Sequence, residues 1–132
     1  MPLILTGTDT PARVRSKLGV DSGYLPDDVI LSKDFLDVAE YNIIELVPNY
    51  TTLTGKDRIY LEAATVCEVA QLIVPTMPAR LPVREQGPHV SYELSIDWQQ
   101  KQKELQDERD TYLAKITEDI NIPLFGLTGP TR

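Results

Sequence analysis

The chain has 132 residues, 42% of them hydrophobic, and a formal net charge of −7. This length fits one domain that buries about two thirds of the surface exposed by its unfolded chain, so a core can form without cross-links. The acidic balance argues against a sequence-specific DNA reader, which needs clustered Lys and Arg, although an acidic wall suits a passage through which DNA slides. The single cysteine, Cys67, excludes an internal disulfide. The N-terminal residues carry no secretion-signal pattern, which favours a reducing cytoplasm or a particle assembled there.

The first half of the chain predicts an N-terminal arm at residues 1–9 and two helices. Thr10 and Pro11 begin a short helix that stops at Gly19. A tight turn at Leu25–Ile30 is expected to direct Val29 and Ile30 inward. Ser32 is expected to cap a second helix that Pro48 ends, with one inward face formed by Phe35, Val38, Ala39, Asn42, Ile43, Leu46 and Val47.

The stretch from Gly55 to Val74 predicts a helix with almost no polar face, ended by Pro75. Such a helix needs neighbours on several sides. Its charged residues argue against a bilayer, because a membrane span needs about 18 apolar residues without charge: Lys56, Asp57, Arg58, Glu62 and Glu68. We therefore expect it to be the core of a helical domain spanning residues 10–74, with an inward face that includes Ile59, Val66 and Ala70.

Residues 75–96 predict a β-hairpin arm rather than a helix. Four prolines fall in this segment, and apolar and polar residues alternate on both sides of a Gln-Gly-Pro tip at residues 86–88. A two-stranded arm alone is marginal in water, so a partner surface is expected. The residues predicted to contact this partner surface are Arg80, Leu81, Val83, Arg84, His89, Val90, Tyr92 and Leu94.

The last helix is predicted over residues 97–118, with Asp97 and Gln100 in the arrangement of a capping box. A narrow apolar stripe of Trp98, Leu105, Tyr112 and Ile116 leaves an outward mixed-charge surface that includes Lys101, Glu104, Asp107 and Arg109. Residues 119–132 predict an extended tail whose apolar side chains suit another protein's groove or sheet edge: Ile122, Leu124, Phe125 and Leu127.

No catalytic, cofactor or metal set is expected. His89 reads as a solvated loop residue, and Cys67 as a small hydrophobic residue within the central helix. Asp34, Asp37 and Glu40 lack the glycine turn of a calcium loop and are interpreted as a solvated helix face. Gly55-Lys56 lacks the remainder of a phosphate-binding loop. An enzyme is therefore the least favoured class.

The order of these features resembles the head-tail connector (adaptor) proteins of tailed bacteriophages. The resemblance covers about residues 10–118 and rests on the short capped helix, LPDDVI, the helix ending in VPNY, the apolar central helix, the arm MPARLPVREQGPHVSYEL and the polar helix opening at DW. It implies a mainly α fold, a small bundle of about four helices with a β-hairpin arm before the last helix and an extended C-terminal tail. It also implies a ring, usually of twelve subunits, beneath the portal. In such a ring the arm would contact the portal or a neighbouring subunit, the tail would contact the portal or the next neck component, and Lys101, Glu104, Asp107 and Arg109 would be the subunit contacts of the last helix.

The resulting hypothesis is a single-domain structural protein of the virion neck, assembled in the host cytoplasm. Its expected partners are the portal protein, further copies of itself, a stopper or tail-completion protein, and double-stranded DNA that passes through the lumen without specific binding; no membrane is expected. Two alternatives remain open. One is a small acidic interaction or regulatory module without a ring state, and the other is an acidic helical inhibitor that mimics nucleic acid.

Overall fold

The computed structural model describes residues 3–80 and 97–120, with side chains described as far as residue 116. The fold is mainly α, as the sequence predicts. We number its α-helices α1 (Thr10–Leu18), α2 (Asp27–Ile30), α3 (Val38–Leu46), α4 (Gly55–Ile73), α5 (Met77–Arg80) and α6 (Trp98–Ile120). A π-helical turn at Lys33–Asp37 leads into α3, and 3₁₀ turns occur at Tyr50–Thr52 and Val74–Thr76.

Helix α4 is the centre of the fold, which confirms its predicted role. Helices α1, α3 and α6 all pack against it, and α6 shares the longest interface with it. Val66 and Ala70 are buried as expected, but the inward assignment of Ile59 was wrong, because 65% of its surface is exposed. Ile59 lies in the first turns of α4, where the covering helices leave one side open.

The short helix α1 follows its sequence signals. Pro11 occupies its first turn, and Gly19 ends it in the left-handed conformation with φ 72°. The Gly19 N–H donates to the Arg15 carbonyl at 2.8 Å, which closes the helix. The next turn also behaves as predicted, since Ile30 is fully buried and Val29 packs against the core.

The second predicted helix differs from the expectation in its first turn. Its buried residues nevertheless follow regular helical spacing and define an inward face that excludes Val38 and Leu46: Leu36, Ala39, Glu40, Ile43 and Val47. The predicted inward positions of Val38 and Leu46 were therefore wrong, since both side chains are exposed. The interpretation of Glu40 as part of a solvated face was also wrong, because it is only 1% exposed.

Helical structure continues past Pro75, so the prediction that residues 75–80 belong to a hairpin was wrong. Pro75 sits in the 3₁₀ turn, and Arg80 ends α5 with its Nε donating to Thr76 Oγ1 at 2.9 Å. Proline is tolerated because it occupies the first turn of a new helical segment, where its missing N–H matters least. The described residues contain no strand, and residues 81–96 lie outside them.

The last helix begins where the sequence places it. The Asp97 carboxylate accepts a hydrogen bond from the Gln100 backbone N–H at 3.0 Å, as one half of the predicted capping box. The Gln100 side chain does not complete the box but donates to Glu104. Leu105 and Ile116 are buried, and Trp98 and Tyr112 pack against the core, which confirms the apolar stripe.

Candidate interaction surfaces and the polar contacts that fix them

The outer face of α6 carries three of the four predicted subunit contacts. Glu104 and Asp107 are exposed, and Lys101 is partly exposed. Lys103 pairs with Asp107 at 3.4 Å, as the spacing predicts, with both side chains largely in solvent. Exposed pairs of this kind contribute little to stability. These side chains therefore remain available for contacts with another protein.

Arg109, the fourth predicted contact, points into the subunit. Its Nη1 lies 2.6 Å from Glu68 Oε1, and the guanidinium is only 21% exposed. Glu68 is a buried residue of α4, and Asn42 of α3 donates to its other oxygen at 2.9 Å. Burial lowers the pKa of Arg109, but its hydrogen bonds to Glu68 and Asp110 outweigh that effect and raise it. One carboxylate thus joins three helices.

A second polar contact joins α6 to the end of α4 at the point where proline interrupts the helix. Pro75 has no N–H to donate to the Gln71 carbonyl, which would be its partner in a regular α-helix. Gln102 Nε2 donates to that carbonyl at 2.9 Å instead, and Gln106 Nε2 donates to the Gln71 side chain at 3.1 Å. The amides of α6 therefore satisfy a polar group that the proline leaves free.

Glu40 also satisfies backbone groups, in this case those of the N-terminal arm. Its carboxylate accepts hydrogen bonds from the backbone N–H groups of Leu3, Ile4 and Leu5 at 2.8 to 2.9 Å. Arg58 of α4 donates to the Ile4 carbonyl at 2.7 Å. The side chains of Ile4 and Leu5 are buried. The arm is thus part of the core, held by polar contacts from α3 and α4.

The sequence interpretation missed Glu40, Glu68 and Gln71 as buried polar residues. A usable signal existed for the last two, because Glu68 and Gln71 are one turn apart in an otherwise apolar stretch and α6 carries Gln102, Gln106 and Arg109 at helical spacing. No comparable signal marks Glu40. Its partners are backbone groups, which every residue possesses.

A groove of about 400 Å³ opens between α1 and α6, with α4 as its floor. It is lined by Arg13, Ser16, Lys17, Ala63, Val66 and Tyr112. Arg13 pairs with Glu62 at 3.1 Å, and Lys17 pairs with Glu108. The Lys17–Glu108 pair joins the two walls, the Arg13–Glu62 pair joins α1 to α4, and the floor formed by Ala63 and Val66 is apolar.

The groove has an aromatic end. Tyr112 stacks on Tyr60 with ring centroids 6.1 Å apart. Lys17 Nζ lies 6.0 Å from the centre of the Tyr112 ring, and Lys115 Nζ lies 5.8 Å from that of Tyr60. Cations at such distances from aromatic rings are attracted by their negative faces. This end of the groove therefore combines apolar surface with positive charge.

Cys67 is fully buried near Lys17 and Glu108. Burial raises the pKa of its thiol to about 12, and the charge of Glu108 adds to the shift while Lys17 opposes it. A thiol with this pKa is protonated at neutral pH and is a poor nucleophile. Its environment supports the interpretation of Cys67 as a packing residue.

The outer face of α3 is the largest departure from the expected surface. Val38, Tyr41 and Leu46 are 42%, 60% and 60% exposed, and the exposed Glu45 lies among them. Asp34, in the π turn, is exposed at the end of this face. Apolar side chains grouped in this way are typical of a surface that another molecule covers.

Several predicted contacts cannot be placed. Leu81, Val83, Arg84, His89, Val90, Tyr92 and Leu94 of the hairpin, and Ile122, Leu124, Phe125 and Leu127 of the tail, lie outside the described residues. Within residues 3–80 and 97–116, no group of three or more potential metal-binding side chains comes together. Asp34 is exposed and Glu40 is buried, so these two carboxylates do not converge on one site.

The continuous helical stretch Gly55–Arg80 is long and apolar enough to cross a membrane, with a mean hydropathy of 1.2 in its most apolar window. The core helix of a soluble protein passes the same test, and 61% of this window is buried inside the fold.

Scans against protein-family models, curated proteins and solved structures each found no match. The function must therefore be argued from the chain's own surfaces.

Proposed function

We propose that this chain is a structural, non-enzymatic protein of a phage neck. In this role it is a ring-forming head-tail connector that attaches to the portal, joins it to a stopper or tail-completion protein, and lines part of the DNA channel. The proposal starts from the resemblance in the order of sequence features. The observation that supports it most is the arrangement of α6, which α4 holds along one side and which presents charged side chains on the other.

Helix α6 also lies between the two segments that we expect to reach other proteins. Residues 81–96, including the proposed hairpin arm, precede it, and the tail at residues 121–132 follows it. A rigid helix fixed by Arg109, Gln102 and Gln106 sets the distance between the points from which these segments depart. Such a spacer suits a subunit that contacts a portal at one end and the next neck protein at the other.

The acidic surface fits a DNA channel. Lys33 is the single cationic side chain between residues 21 and 47. Most of the carboxylates in this range lie on the surface: Asp21, Asp27, Asp28, Asp34 and Glu45. A wall of negative charge repels the phosphate backbone, which allows DNA to move without adhering. We therefore expect non-specific DNA binding to be weak at low salt, where a basic protein would bind strongly.

The decisive experiment mixes the purified chain with the portal of the same phage. Sedimentation velocity and electron micrographs of the chain alone and of the mixture should reveal closed rings, with twelve subunits as the expected number. A chain that stays monomeric at high concentration and does not bind the portal in a pull-down would refute the proposal. A monomer that binds a basic DNA-binding enzyme tightly would favour the inhibitor alternative.

Deleting residues 121–132 tests the tail. The truncated chain should keep its helical circular-dichroism signal and melting temperature, because helices α1 to α6 and the buried contacts between them form among residues 3–80 and 97–120, while portal attachment becomes weaker. Replacing Asp28 of α2 by Lys serves as a surface control for the pull-down. Unchanged portal attachment after the deletion would show that the tail contacts something else.

A further inference from the structure

Within residues 3–80 and 97–116, two exposed apolar faces have no described partner. The first, which we call the α3 face, consists of Val38, Tyr41, Glu45 and Leu46, with Asp34 at its end. Val38, Tyr41 and Glu45 share one side of α3 because they follow each other at helical spacing, whereas Leu46, five residues after Tyr41, lies on the flank of this face. The second, the groove face, comprises the groove between α1 and α6 with Ile59 at its open end. Ile59 precedes Ala63 of the groove floor by one turn of α4.

The two faces lie on opposite sides of the subunit. Asn42 of α3 reaches α4 at Glu68, so Glu68 marks the side of α4 that α3 covers. Ile59 and Glu68 are nine positions apart in the sequence, which corresponds to about 2.5 turns at 3.6 residues per turn. Their side chains therefore leave α4 in opposite directions. The groove face opens away from the side on which α3 packs.

The faces are complementary in charge as well as in polarity. The α3 face carries Glu45 and Asp34. Three cationic side chains border the groove, Arg13, Lys17 and Lys115, against two carboxylates, Glu62 and Glu108. The groove therefore has a local charge of about +1, although the net charge of the whole chain is −7. An apolar ridge with two carboxylates on one side of the subunit, and a groove with an apolar floor and one surplus cation on the other, form an arrangement that attracts a second copy and sets its orientation.

We propose that the α3 face of one subunit seats in the groove face of the next copy of this chain, with Val38 and Tyr41 entering the groove. This inference rests on the proposed ring and specifies which surfaces build it. Contacts between two different faces are head-to-tail, and they close into a ring when the rotation between subunits permits. A contact of one face with itself would stop at a dimer.

Cross-linking between two single variants distinguishes these geometries. Ser16→Cys places an exposed thiol at the groove, and Tyr41→Cys places one on the α3 face, while buried Cys67 stays unreactive. With a short bifunctional maleimide, we expect a covalent dimer in the mixture of the two variants and none in either variant alone. Self-linking of Tyr41→Cys, or no link in the mixture, would overturn the proposal.

A loss-of-assembly experiment supplies the second test. The double variant Val38→Ser, Tyr41→Ser should keep the wild-type helical signal and melting temperature, since both side chains are exposed. The concentration at half-assembly in sedimentation velocity should rise on the order of tenfold or more, as for central interface residues. Tyr24→Ser changes an exposed aromatic residue outside both faces and should leave assembly unchanged.

The outcomes separate this inference from the proposed function. If wild-type chains form rings and the double variant assembles at the wild-type concentration, the interface is wrong and the ring stands. If the double variant still forms rings but loses portal binding, the portal covers the α3 face, which also overturns the inference. If the wild type forms no ring alone or with the portal, both proposals fail.

Discussion

Replacing Glu40 by Gln should release the N-terminal arm, because one buried carboxylate accepts the N–H groups of three consecutive residues. Oε2 accepts from Ile4 and Leu5, and Oε1 accepts from Leu3. A glutamine side chain keeps the shape but turns one acceptor into an NH₂ group. That group would then face either one or two backbone donors, according to the orientation of the amide.

The magnitude follows from the hydrogen bonds that are weakened. Hydrogen bonds to a charged group contribute about 1.5 to 3 kcal/mol each, and a buried donor without an acceptor costs about 1 to 3 kcal/mol. We expect Glu40→Gln to lower the free energy of unfolding by about 3 kcal/mol. This is a large share of the roughly 5 to 15 kcal/mol that stabilises a typical domain. The decrease in unfolding free energy cannot exceed the free energy with which the arm docks on the core. Once the variant weakens docking by more than that, the arm detaches and the remaining helices stay folded.

Urea denaturation measures the global effect, and hydrogen exchange of the Leu3, Ile4 and Leu5 amides measures the local one. In the variant, these amides should exchange faster even where the midpoint of unfolding changes little. Glu45→Gln, on the exposed side of the same helix, is the matched control and should change stability by less than about 0.5 kcal/mol. A Glu40→Gln variant with wild-type stability and unchanged exchange of the arm amides would refute the reasoning.

Three further predictions concern α4 and α6. Arg109→Met should lower the free energy of unfolding by about 3 kcal/mol in urea denaturation, because it leaves a buried carboxylate with one donor fewer, whereas Lys103→Met should have almost no effect. Gln102→Ala should cost about 1 to 2 kcal/mol by the same measurement, since the Gln71 carbonyl loses its donor; a neutral result would mean that water reaches this carbonyl. Burial raises the pKa of Cys67 from 9.0 to about 12, so its contribution to stability is complete below pH 9 and is lost as the pH rises towards 12. The Cys67→Ala variant should therefore lose less stability than the wild type between pH 9 and 11, and parallel curves would contradict the assignment.

Much of the fold was predictable because it depends on signals that act within one element. The capping aspartate Asp97, the helix stop at Gly19 and the apolar run of α4 each express a local preference of the backbone or an unmistakable need for burial. These signals determined that the chain is mainly helical, that α4 is its core, and where α1 and α6 begin.

The candidate surfaces were less predictable, because they depend on the rotation of each helix about its axis. In α3 the inward face follows Leu36, Glu40, Ile43 and Val47, so two apolar residues predicted to point inward, Val38 and Leu46, are exposed and the carboxylate of Glu40 is buried. The effect of Pro75 was also decided elsewhere, by a glutamine on α6 that supplies the missing donor. Sequence spacing cannot reveal such partners, because they come from a different element.

The sequence by itself determined the helical class, the central helix, the acidic balance and the resemblance from which the proposed role in a phage neck derives. Only the tertiary structure decided which side chains face outward. It assigned Arg109 and Glu68 to the interior, joined the N-terminal arm to α3, and left the α3 face and the groove face on opposite sides of α4. The physical reason is that helix formation depends on neighbours along the chain, whereas burial depends on which elements meet in space.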